Sequence, residues 1–539
     1  MTLFRLALRY HRTGLIVMSL VSAIAGVLNA AAFEQLAGTT PAERAAFGQQ
    51  MELLAKQLSY LLPDPVQLDT MGGYLTWRAF GSLTLIFAIW AILASTGAGR
   101  GEEERGHTEH WLASGISRMR WLGARTAAFG AVAVISLVVT FAATALVAAV
   151  LNDPLPIGGV VLEAISFLGL TLVAFGIGLA IAQLVVTRRA AGSIGAVVVV
   201  ALYELNAASR SVDLGWLGNL SPFALFDRSR PLLPQGGSVD LGAIFALYAA
   251  AIVLVGLSIA AFVRRDVGGV LLKIRSERTR ASARPSGDRL LRLPVLSMVD
   301  QQRGWLIGWT IGLAILAYFL TSLGRTIVDS MMAIPTLRVY FERLGVGAYS
   351  DFIGVLWFGS FLFILSGLVI AQVNGWAADD TEGRLEAMLT VGASRSRVVI
   401  ERIAALLVNV GIVSAITSAV VFIGARGFDI IVPGDRMIVA TADVLPVVFA
   451  FAGIGAALVG WRPRLAVIAL GAVAVISYML QQFSAIFEWP EWVGHLSIYQ
   501  LYGTPLSKDD WVGIITLVAI GVLGTAVALV SMRRRDVGT

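Results

Sequence analysis

The chain has no cysteine, which excludes disulfides, thiolate catalysis and Cys-ligated metal sites and leaves the compartment to be argued from topology. Charge is scarce as well. Asp, Glu, Lys and Arg make up 14% of the 539 residues against 57% hydrophobic ones, and a mean hydropathy of +0.79 excludes an ordinary soluble domain. No Gly-Lys dipeptide occurs anywhere, so there is no phosphate-holding loop of the form G-x-x-x-x-G-K-[ST]. Catalytic residues are not expected.

Long apolar runs are plentiful. A helix needs about 20 residues to cross about 30 Å of hydrocarbon, and twelve such runs can be placed: 15–33, 79–97, 126–150, 164–186, 192–207, 241–263, 305–323, 352–374, 403–424, 443–460, 465–487 and 511–531. The expected fold is an all-α integral membrane protein with twelve transmembrane helices. The run at 192–207 is short enough to be partly re-entrant. With both termini inside, 29 of the 41 Lys and Arg residues fall on the inner side, so a multi-pass protein of a bacterial-type plasma membrane with cytoplasmic termini is expected. This bias and an Arg-rich linker explain the pI near 9.7 without nucleic acid. The start "MTLFRLALRYHRTG" resembles a signal peptide, but its apolar run is too long and reads as a retained first span. Residues 42–62, with Phe47, Met51, Leu54, Leu58 and Leu61 at helical spacing, read as an amphipathic helix on the outer surface.

The two halves repeat one another. At an offset of 277, Glu102, Glu103, Gly106, Glu109, Ser117, Arg118 and Arg125 pair with Asp379, Asp380, Gly383, Glu386, Ser394, Arg395 and Arg402. At 276, "WLGNLSPF" lies on "WVGHLSIY", and at 270 "RRDVG" closes both halves. Chance similarity between apolar helices would not preserve polar loops. The chain therefore divides into a first six-helix unit (1–263), a cytoplasmic Arg-rich linker (264–304) and a second six-helix unit (305–539), two parallel repeats related by an axis along the membrane normal.

The duplicated loop follows the second span of each unit. Residues 102–111 suit a helix that turns Trp111, Leu112 and Ile116 toward lipid, with Gly115 and Gly392 as breakers and Ser117 and Ser394 as N-caps. A solvated loop that merely sets orientation needs arginine, yet explains neither the paired carboxylates nor the glycine. A docking element presented twice explains both, and its partner should be a basic soluble surface. His107 and His110 beside Glu103 imitate a metal site, but their counterparts are Arg384 and Ala387, so no metal is expected.

These residues carry a resemblance. "EEERGHTEHWLASGISR" (102–118) and "DDTEGRLEAMLTVGASR" (379–395) resemble the "EExxGxxExLL…P.SR" pattern of type-2 ABC exporter permeases, specifically the fused twelve-span kind similar to exporters of polyketide antibiotics such as tetronasin. The proline before Ser-Arg is replaced by Ile116 and Ala393. The resemblance implies a type-2 ABC exporter-like fold in which the loops are coupling helices. Glu102, Glu103, Gly106, Glu109, Ser117 and Arg118, with Asp379, Asp380, Gly383, Glu386, Ser394 and Arg395, would then contact two copies of a soluble nucleotide-binding ATPase subunit. ATP and Mg would bind in that subunit, and the permease would hold no cofactor of its own. The cargo would be a small hydrophobic or amphipathic compound crossing the lipid bilayer.

Two other classes stay open. A proton-coupled secondary carrier needs ionisable groups near midplane, and Glu204 is the clearest such residue, although its place near the outer end of a short span favours a carboxylate at the interface and its counterpart is Leu480. Asn29, Asn206, Gln481 and Gln482 are the neutral polar candidates for a substrate pathway. A non-transporting membrane sensor or scaffold is the third class. The orientation is testable directly in a cysteine-free chain: Cys at Ser114 should react only with membrane-permeant maleimides in intact cells, and Cys at Gly236 with impermeant ones. The opposite labelling would invert the topology.

Overall fold

The computed structural model describes residues 3–57, 65–211, 215–271, 292–332, 349–381, 383–390, 392, 394–503, 506 and 510–534. Among them every regular element is a helix. Twelve helices are long and apolar enough to cross a membrane, so the chain is an all-α, twelve-span membrane protein. Spans 1–6 are Leu3–Ala37, Met71–Glu104, Arg118–Val150, Ile157–Leu184, Arg188–Ala207 and Leu241–Arg264; spans 7–12 are Arg303–Ser322, Gly359–Asp380, Arg395–Gly427, Gly434–Trp461, Leu465–Phe483 and Trp511–Arg534. Contacts divide the chain into two compact units, Met1–Thr279 and Arg280–Thr539.

The apolar runs locate every span but cut most of them short, because hydropathy stops at the first charges and helical hydrogen bonding does not. Span 2 holds 34 residues, or ~50 Å at about 1.5 Å per residue. That overshoots a ~30 Å hydrocarbon layer by about 20 Å, so its acidic end can stand clear of lipid. Span 4 begins at Ile157, directly after Pro156, and so takes Glu163 into the helix. The short fifth run is a whole helix, Arg188–Ser211, which removes the re-entrant reading.

Each unit is assembled by the same devices. In unit 1 the buried hydroxyl of Ser221, from "LSPF", donates to the Leu202 carbonyl of span 5 at 2.7 Å. In unit 2 Ser497, from "LSIY", donates to the Ser477 carbonyl of span 11 at 2.7 Å. Arg118 donates to the Val263 carbonyl at the end of span 6, and Arg395 to the Met532 carbonyl at the end of span 12. Each arginine thereby meets the orphan carbonyls and negative dipole end of a helix. A π-helical turn, with one residue more per turn, occurs in span 2 at Thr76–Phe80 and before span 8 at Gly354–Phe358, within one residue of the 277 offset.

Next to span 1 the helix Pro41–Gln57 opens on a capping box. Glu43 Oε2 accepts the Thr39 and Thr40 amides while Thr40 Oγ1 accepts the Glu43 amide. These donors hold the Glu43 carboxyl below its ordinary pKa, so the cap is intact at neutral pH and weakens as acid protonates Glu43. Arg44 ties the helix down through Asp153 at 2.7 Å and lies over the Phe33 ring. Leu58 and Leu61 of the expected helix lie outside the described residues.

Packing of spans 10 and 12 depends on glycine. A Cβ on Gly453 would stand 2.5 Å from the Gly521 carbonyl oxygen, whereas one on Gly256 meets nothing within 4 Å. Gly453→Leu should therefore lower stability by about 1–3 kcal/mol, read as a reduced melting temperature in detergent. Gly256→Ala should leave that temperature unchanged.

Candidate functional site

The acidic pairs are the last turn of the second span and not the start of the loop helix. A single helix over 102–111 was expected, but Gly106 and Gly383 sit at φ +71° and +76°. That left-handed backbone is costly for residues with a Cβ. Helix ends there. Glu102–Glu104 finish span 2, and a separate loop helix, His107–Ala113, follows; in unit 2 the corresponding helix is Arg384–Thr390. Gly115 and Gly392 repeat the left-handed turn at φ +88° and +94°. Ser117 and Ser394 then cap the third span of each unit, accepting the Arg120 and Arg397 amides at 3.3 Å.

The three successive glutamates reach three different spans. Glu102 is buried and accepts Arg125 Nη2, from span 3, at 2.8 Å. Glu103 is buried and gathers four donors: Arg100 Nη1 at 2.8 Å, Arg265 Nη1 at 3.0 Å and its Nη2, and the Gly268 amide at 3.2 Å. Arg265 follows span 6 immediately, and its Nε bonds Gln183 Oε1 of span 4 at 2.8 Å. Glu104 Oε1 accepts the Arg188 amide that starts span 5, at 2.6 Å. Span 1 joins through Tyr10, whose ring lies 4.8 Å below the Arg125 guanidinium, with Trp121 at 4.4 Å. All six spans of unit 1 thus converge on the root of one loop.

The corresponding root in unit 2 uses the same charge logic. Asp379 Oδ2 accepts Arg402 Nη2 at 2.7 Å, and its Oδ1 accepts Arg384 Nε at 2.8 Å. Arg384 replaces His107, whose Nδ1 lies 3.7 Å from Glu102 Oε2, so a basic group one step past the glycine meets the acidic residue in both copies. Asp380 is buried. The counterpart of Arg265 is Arg535, outside the described residues.

The loop helix itself presents charge outward. His107, Glu109 and His110 are exposed in unit 1, and Arg384 and Glu386 in unit 2. Trp111, Leu112 and Ile116, whose spacing suggested a lipid-facing side, are half-buried and pack on the core of unit 1, Trp111 stacking on Trp121 at 6.0 Å. A charged outer face and an apolar inner one leave the short helix a single seat.

Three of the five pathway candidates make bonds within their own unit. Asn29 donates to the Ala25 carbonyl of its own helix, and Gln482 to the Tyr478 hydroxyl; Gln481 is half-buried and Glu204 exposed. Asn206 is buried and donates to Asp227 Oδ2 at 2.8 Å, which also takes Arg210 Nη1 at 3.0 Å. Sequence reasoning missed Arg100, Gln183 and Arg265 as partners and Glu163 altogether. The repeated "RRDVG" marked Arg265, but nothing in its spacing named Glu103 as its acceptor.

A family model described as "Multidrug efflux system permease Rv1217c, C-terminal domain" matches residues 2–263 and 291–533, leaving out the first part of the linker and the extreme ends of the chain. No curated protein matches the chain.

Removing one member of a buried ion pair costs about 3–5 kcal/mol, while replacing both with apolar groups can be neutral. Arg125→Met should therefore destabilise the protein by about that amount, and Glu102→Leu with Arg125→Met should recover most of the loss in thermal unfolding. A double variant as unstable as the single one would show that the pair is not the partner relationship holding this site.

Proposed function

The chain belongs to the Rv1217c-type multidrug efflux permease family, and on that premise we propose that it is the membrane subunit of an ATP-driven exporter. It is a transport permease embedded by twelve spans; what the proposal adds is the energy source and the cargo. Two copies of a soluble ATPase subunit, carrying ATP and Mg, would dock on the loop helices from the cytoplasm. The cargo would be hydrophobic or amphipathic, of the polyketide-antibiotic kind.

One observation carries this reading: the convergence of six spans on Glu102, Glu103, Glu104 and Arg125 directly behind an exposed, charged loop helix. A force applied to that helix reaches every span of the unit through buried, charge-assisted bonds, which are about twice as strong as neutral ones. A loop that merely set orientation would have no need of such a root. On this reading the resemblance-derived residues take two roles. Glu102, Glu103 and Asp380 are buried and serve the root, while Glu109 and Glu386 remain exposed to meet a basic partner.

Glu109→Lys with Glu386→Lys should abolish co-purification of the ATPase and lower drug efflux from intact cells, with membrane insertion and melting temperature unchanged. Efflux that persists in ATP-free vesicles, or a charge-reversed protein that still captures its ATPase, would refute the reading.

A further inference from the structure

Among the described residues of unit 1, one buried acidic side chain is not used by the loop root. Glu163 lies two turns into span 4, at the end opposite the acidic loop. It is fully buried, and among the described residues neither carboxyl oxygen has a hydrogen-bond partner. A bare carboxylate in such a place costs several kcal/mol, and the group either finds a counter-charge or goes neutral.

Among the described residues, the elements around it supply no counter-charge. Span 2 brings Phe87 and span 3 brings Phe141, both against Phe167 one turn further along span 4. Span 6 brings the Tyr248 hydroxyl, which donates to the Ile165 carbonyl at 3.0 Å. Arg210 and Asn206 of span 5 are bonded to Asp227, at the end of the short helix Pro222–Asp227. That short helix sets another carboxylate, Asp227, beside Phe226, whose ring lies 5.6 Å from that of Phe167. Asp227 is partly solvent-accessible and, with Trp77 and Phe226, lines a cavity of about 10 Å³, room for one water.

The fold does not require this acid. Span 10 corresponds to span 4 residue by residue at the 277 offset and has Ala440 in place of Glu163. There the region is closed by Tyr502, the counterpart of Phe226, whose hydroxyl donates to the Ala440 carbonyl at 2.7 Å. Unit 2 thus builds the same corner with an apolar side chain and a satisfied backbone, and unit 1 installs an ionisable group with nothing to bond.

We infer that Glu163 is a proton-binding site: it carries a proton while this end of unit 1 is closed and gives it up, by way of the Asp227 carboxylate, to the side opposite the loops when this end opens. The proton leaves a Glu163 carboxyl oxygen and arrives on Asp227 or on a water beside it. No other bond changes, and no oxidant or reductant takes part. An ionisable residue within a membrane span is by default a functional candidate.

Infrared spectroscopy of the full chain in lipid nanodiscs at neutral pH tests this without any ATPase or cargo, so its failure is distinct from failure of the transport proposal. The wild type should show a protonated-carboxyl C=O band that is lost in Glu163→Gln and also in Glu163→Ala, the residue that unit 2 tolerates. The band should shift to lower frequency in D2O, and Asp227→Asn should retain the band but slow that shift. Superimposable wild-type and Glu163→Gln spectra in this region overturn the site, and an unchanged exchange rate in Asp227→Asn overturns the exit route.

Discussion

The buried bonds from Glu102 to Arg125 and from Glu103 to Arg265 are the constraint on which unit 1 depends. Two carboxylates taken out of water are tolerable only with cations at contact distance, and those cations come from span 3 and from the residue after span 6. The ends of the spans cannot drift apart without stranding a charge. Because span 2 is longer than a bilayer is thick, this knot can lie beyond the lipid, where protein and not hydrocarbon surrounds it. Gly106 then turns the chain through a left-handed residue and delivers the loop helix to the surface of the knot. Anchor and exposed face are neighbours in sequence because one must stand behind the other.

Duplication preserved this arrangement unevenly. The pairing of the acidic residue with an arginine 23 positions on recurs as Asp379 with Arg402, and the arginine that caps the last span of each unit recurs at 118 and 395. At the opposite end the two units diverge: a buried carboxyl and a phenylalanine in one, an alanine and a tyrosine in the other. The common end is where a repeated partner would be met. At the divergent end the two units are free to differ.

Much of this was legible in the sequence, for definite physical reasons. Spans are legible because hydrocarbon demands about 20 apolar residues in a row. The loops and both serine caps are legible because the repeat separates necessary polar residues from incidental ones. What could not be read was which carboxylates face inward. Glu102 and Glu109 look alike in a string, and only the break at Gly106 assigns one to a span and the other to a surface helix. Trp111 and Leu112 misled because apolar spacing shows that a face is covered and not whether lipid or protein covers it. Glu163 escaped because a hydropathy window beginning at residue 164 excludes the charge just outside it, whereas the helix, starting after Pro156, includes it.

The central claim is that the loop helix of unit 1 moves as one body with the ends of its spans. The chain's lack of cysteine allows spin labels to be placed at His110 in the loop helix and at Val263 at the end of span 6. Pulsed electron resonance then reads the distance between them with and without the proposed ATPase and trapped nucleotide. The account predicts one narrow distribution, the same in both states, that broadens in Arg265→Gln. A distance that changes between the two states in the wild-type background would contradict it.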